Sequence, residues 1–115
     1  MNAVEFIVVN FNTTREATLR VTQGLNEEAL RWYPKAGSNP IGFLLWHTAR
    51  MEDYFINRFI QGGAELWEAQ GWHEKFGAPV RDTGYGFTSE QVENHPISSS
   101  ENLFGYLAAV RASTL

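Results

Sequence analysis

From Pro40 to Gln61 the chain carries one strong periodic signal, because Ile41, Leu44, Leu45, Thr48, Met51, Phe55 and Phe59 recur at steps of three and four. Such spacing places side chains on one face of an α-helix and on both faces of a strand, so it selects the helix. The stretch is too long for one strand, and its apolar stripe must be covered by a second element. Ser38 or Asn39 is positioned as an N-cap, Pro40 falls in the first turn, and Gly62-Gly63 stops the run.

Two further long helices are expected. Residues 3–22 begin with the β-branched "FIVV". Val4, Ile7, Val8, Phe11, Leu19 and Val21 nevertheless fit one helical face, with Asn12, Arg15, Glu16 and Arg20 outside it and Gly24 at the expected C-cap. Near the C-terminus "SSSENLFGYLAAVRASTL" presents Leu103, Leu107, Val110 and Thr114 on one face, with Ser98 and Glu101 at capping-box spacing. A short helical turn, "LNEEALRWYP", takes Asn26 as its cap and ends at Pro34. The glycine-rich stretch 64–97 is too long for a bare loop. Its Trp67, Trp72 and Phe76 are expected to dock it on the helices, and Thr88 and Gln91 stand at capping-box spacing. A long crossover of this kind lets the second and third long helices run parallel in a bundle.

Composition removes whole classes of function. The formal net charge is −4, and the two lysines and seven arginines are scattered, so a phosphate-reading stripe for nucleic acid is not expected. With no cysteine there is no disulfide, no thiolate nucleophile and no Cys-based metal site. No apolar run has the length of a membrane span and no signal-peptide pattern opens the chain, so a cytoplasmic protein with no membrane partner is expected.

His47, inside "FLLWHTARMEDYF", is the residue that carries chemistry. It lies beside the apolar face, in line with Leu44, Met51, Tyr54 and Arg58. A half-buried imidazole there either bonds a backbone carbonyl or carboxylate, or gives one ligand to a metal. Glu52 and Asp53 are expected on a solvated or salt-bridged surface with Arg50. His73 and His95 are expected at the surface or capping loops. "GGAE" lacks the Lys and Ser/Thr of a phosphate loop, "GYGF" lacks a preceding strand, and Ser98, Ser99 and Ser100 have no base to activate them.

Four stretches together, "GLNEEALRWYPKAGSNPIGFLLWHTARMEDYF", "LWEAQGWHEKFGAPV", "GYGFTSEQV" and "ENLFGYLAAVR", resemble the DinB-like superfamily of four-helix bundles, which includes bacterial thiol-dependent transferases. Trp32 and Pro34 match a Trp-x-Pro-like element before the second helix, and His47 matches the histidine on that helix. The resemblance implies an all-α, up-down bundle with a long crossover between helices 2 and 3, and His47 as one of three histidines on a divalent transition metal, zinc or nickel. It further implies a low-molecular-weight thiol, a small-molecule substrate and a homodimer. The family's other two histidines form an H-x-x-x-H pair on the fourth helix, which this sequence lacks. The expectation is therefore a single domain over 1–115, cut before its fourth helix, with Trp67 to Phe76 shaping the substrate pocket. The competing expectation is a non-catalytic helical module for homo-oligomerisation or small-ligand binding, in which His47 only packs.

Overall fold

The computed structural model describes residues 1–22, 24–33, 37–95 and 99–115. Three long helices dominate: α1 (Ala3–Thr22), α3 (Ile41–Asp53, continued by a π-helical segment Tyr54–Ile60) and α7 (Ser100–Thr114). Between α1 and α3 lies α2 (Glu27–Arg31). The crossover holds α4 (Leu66–Ala69), α5 (Trp72–Phe76) and α6 (Ser89–Glu93). Among the described residues no helix is long and apolar enough to cross a membrane.

Local signals explain most of the boundaries. Asn26 accepts from the Ala29 amide at the start of α2, and Thr88 and Gln91 close a reciprocal capping box on α6. At α7 the cap is Ser99, which accepts from the Asn102 amide; the expected cap Ser98 lies outside the described residues, as does Pro34. The α3 start differs from expectation as well. Pro40 itself occupies the N-cap position and no side chain caps the helix, so neither Ser38 nor Asn39 plays that part.

The central pairing joins α3 to α7, and the two run parallel. Arg50 and Asp53 meet Tyr106, Glu52 meets Arg111, and Asn57 meets Ser113, so partner numbers rise together along both helices. By the same test α1 is antiparallel to α7, because Phe11 meets Arg111 and Arg15 meets Leu107. The apolar core gathers Leu30 from α2, Phe43, Trp46 and Ala49 from α3, Trp67 and Phe76 from the crossover, and Leu103, Tyr106, Leu107 and Val110 from α7. Trp67 is fully buried and donates its indole N–H to the Pro79 carbonyl, while Trp72 is half-buried against Tyr106; both anchor the crossover as expected.

The buried face of α3 is not the stripe its apolar periodicity marks. Ile41, Leu44, Thr48, Phe55 and Phe59 are exposed, Phe59 by 73%. Phe43, Trp46, Arg50, Asp53 and Asn57 are buried instead, at alternating steps of three and four. The reason is chemical: the lower half of the true face is polar, and its charges are satisfied by one another and by the crossover. Residues of α1 behave similarly. Val4, Ile7, Phe11 and Val21 are exposed, as is Phe6 (61%), and the helix buries only Thr22 fully.

What holds α1 is polar. Arg15 donates to the Leu107 carbonyl at 3.1 Å, and Arg111 donates to the Phe11 carbonyl at 2.8 Å while its guanidinium lies over the Phe11 ring. Glu52 links the three helices: it accepts from Arg111 at 3.1 and 3.2 Å and from Thr114 at 2.7 Å, with Arg15 at 3.9 Å. Burial alone would raise its pKa. The bonds from Arg111 and Thr114 and the two positive charges outweigh that and hold it below the usual carboxylate value.

Candidate functional site

The crossover returns past α3 in a turn around Gly84, and this turn shapes the surroundings of His47. Gly84 has φ +85°, a conformation L side chains rarely adopt. A Cβ on it would sit 2.7 Å from His47 Nδ1, 3.0 Å from Trp46 and 3.1 Å from Phe43. Glycine therefore lets the backbone approach the ring closely enough for the Thr83 carbonyl to accept a hydrogen bond from His47 Nδ1–H. A carbonyl cannot donate, so this contact places the proton of a neutral ring on Nδ1. The ring also stacks on Phe43, with centroids 5.9 Å apart and planes 9° from parallel. Nε2 then carries a lone pair and has no hydrogen-bond partner among the described residues.

This is the arrangement expected of a ligating imidazole, whose far nitrogen is oriented by a carbonyl or carboxylate. It also satisfies the packing alternative, a half-buried histidine bonded to backbone. His47 thus fits one position in a metal site. Among the described residues no group of three His, Cys, Asp or Glu side chains is placed to complete one. His73 lies in α5, near Glu74. His95 is 8% exposed rather than at the surface: it packs on Trp46 with centroids 3.9 Å apart, and neither ring nitrogen has a partner among the described residues. Burial pushes its pKa down to about 4.

One to three turns beyond His47, α3 presents Arg50, Tyr54 and Arg58 to a cavity of about 640 Å³. Glu65, Glu68, Arg81 and Thr83 line it as well. Thr83 therefore joins the cavity to the His47 corner. Of the Trp67–Phe76 segment, Glu68 lines this cavity, while Trp67, Trp72 and Phe76 pack into or against the core.

Behind the cavity lies a buried charge network, and the expected pairing of Asp53 with Arg50 is part of it at 3.7 Å, inside the fold rather than on its surface. Arg50 (1% exposed) donates Nε–H to the Asp82 carbonyl and Nη1–H to Glu65 and to the Tyr106 hydroxyl, and its guanidinium lies 4.9 Å from the Trp67 ring centre. Asp53 (0% exposed) accepts from the Leu66 and Trp67 amides, each at 2.9 Å, from Asn57 at 2.8 Å and from the Tyr106 hydroxyl at 2.7 Å. It serves as the N-cap of α4 from a different helix, where the free amides and helix dipole favour a negative charge. A buried ion pair survives only when its remaining hydrogen-bonding capacity is met, and here it is. Burial pushes the Tyr106 phenol pKa upward, so it stays a donor. Asp53 is thus no surface acid, and Glu52 pairs with Arg111 and Arg15 rather than with Arg50.

Comparison with known proteins bears on the fold. The family model of the DinB superfamily matches residues 10–115. Among solved structures, a conserved protein from Enterococcus faecalis superposes with a TM-score of 0.86 at 24% identity, covering 99% of this chain and 68% of that one. That likeness speaks for the fold. No curated protein matches.

Proposed function

The chain belongs to the DinB superfamily, and from that premise we propose that it takes part in a divalent-metal-dependent enzyme that transfers or adds a low-molecular-weight thiol in the cytoplasm. The observation that supports this reading is the state of His47: Nδ1 is fixed on the Thr83 carbonyl and Nε2 is left unpartnered. His47 is the proposed ligand to zinc or nickel, and the other ligands come from outside the described residues. When bound, such a metal lowers the pKa of a coordinated water or thiol. The chain's own part is to orient the ligating nitrogen, and the Thr83 carbonyl on Nδ1 and the Phe43 stack support that role. The thiol is a co-substrate, since the chain has no cysteine.

Elemental analysis of protein purified without a histidine tag tests the reading. About one transition metal per chain or per dimer is expected, and it should be lost in His47→Ala. Equal metal content in both forms, or none in either, sinks it.

A second reading rests on a different observation. Val4, Phe6 and Ile7 on α1 and Phe55, Phe59 and Ile60 on the π-helical segment are large apolar side chains left exposed, the kind of surface that marks interaction sites when contiguous. In this reading the chain is a helical module that pairs with a second copy. Light scattering across a hundredfold concentration range separates the cases: a dimer that forms equally in His47→Ala and binds no metal favours the module.

A further inference from the structure

The cavity beside the His47 corner brings three arginines together on a chain whose net charge is negative. Arg50, Arg58 and Arg81 line it with Glu65 and Glu68, and Arg50 is further paired with Asp53 behind the wall at 3.7 Å. Glu65 is already engaged, one oxygen by Arg50 at 2.8 Å and the other by Arg58 at 3.5 Å. Arg81 is exposed and makes no hydrogen bond or ion pair among the described residues. Arg50 has its Nε and Nη1 occupied, while Nη2 has no acceptor among those residues. On a chain of −4 overall, Arg81 thus brings an unpaired positive charge to this wall.

We propose that the cavity binds a small molecule through an oxyanion, a carboxylate or phosphate group, held between Arg58 and Arg81 over a floor formed by Arg50. The guanidinium fork matches both oxyanions, and charge-assisted contacts of this type are the strong ones. Arg50 is clamped by Asp82, Glu65 and Tyr106 and lies against Trp67, so the floor is set before the ligand binds and loses little freedom on binding. The volume of about 640 Å³ lies within the range of small-molecule pockets. Tyr54 and Val80 supply a hydroxyl and an apolar wall. Glu68 at the exposed edge repels a second negative charge and receives a hydroxyl or ammonium, so the ligand has one anionic end. The site stands independently of any metal on His47.

The test is titration of the metal-free chain with inorganic phosphate and with acetate, at constant ionic strength set by chloride, followed by amide chemical shifts. Saturable shifts in residues 50–68 and 80–83 are expected with at least one of the two, and the tighter one identifies the oxyanion. Arg81→Ala and Arg58→Ala are both at exposed side chains and should keep the helical circular-dichroism spectrum while weakening binding at least tenfold. Arg20→Ala, which removes an exposed arginine of α1 outside the cavity lining, should leave the affinity unchanged. No saturable shift with either anion overturns the proposal, and so does equal affinity in the two arginine variants.

Discussion

Tyr106 donates its hydroxyl proton to Asp53 across 2.7 Å, and the same oxygen accepts from Arg50 at 3.3 Å. One phenol on α7 thus touches both halves of an ion pair on α3. Removing the carboxylate leaves Arg50 buried and the α4 amides open. Asp53→Ala should therefore cost about 3–5 kcal/mol, and Tyr106→Phe about 1–3 kcal/mol. Urea denaturation of the two single variants and the double variant should show strong coupling; additive losses would mean that the two residues act separately.

His95 makes stability depend on pH between neutrality and about 4. Its folded-state pKa is depressed to about 4 from an ordinary value near 6.5. Below pH 6.5 the unfolded chain gains a proton that the folded ring refuses, so stability falls as pH drops until the folded ring protonates too. The full span is worth up to about 3 kcal/mol. His95→Phe should flatten the urea midpoint over this window, and an unchanged slope would assign the effect to other groups.

Gly84→Ala adds a Cβ 2.7 Å from His47 Nδ1 at a backbone position of φ +85°. The strain is about 1–3 kcal/mol. Nitrogen-15 NMR of the ring should find Nδ1 protonated and Nε2 bare in the native chain at neutral pH, with the alanine variant moving toward the opposite tautomer. An unmoved tautomer would show that Gly84 does not set it.

Glu52 contributes in the ordinary carboxylate sense. Its pKa is lowered, so its stabilisation is present above the unfolded value and lost as pH falls through the folded one. Because α1 depends on this cluster, Glu52→Gln should speed amide exchange in α1 by roughly tenfold, equivalent to ~1.4 kcal/mol, with exchange in α7 much less affected. Uniform acceleration would mean a global loss instead.

The three long helices, the crossover and its aromatic anchors were legible because each rests on local signals: period, caps and glycine stops. The face of α3 was not. Arg50, Asp53 and Asn57 continue the Phe43–Trp46 series at helical spacing, but a search for apolar residues passes over them and settles on Ile41, Leu44, Phe55 and Phe59. Asking which polar residues extend an aromatic series would have found the network. The cavity was hidden for a related reason, since Arg50 and Arg58 on α3 meet Arg81 only through the path of the crossover. His47 was legible as a residue, and its Thr83 partner was not, since nothing in the chain marks which carbonyl a loop will offer.

Parallel pairing of α3 and α7 also sets the lengths of the loops that meet at Asp53. Asp53 contacts Leu66 across 13 positions and Tyr106 across 53. Closing the longer loop from scratch costs about 1 kcal/mol more in chain entropy than closing the shorter one. Loop entropy alone therefore favours the contact of Asp53 with α4 over its contact with Tyr106. The residue that caps a short helix thus closes two loops of unequal cost, the shorter through the crossover and the longer through α7.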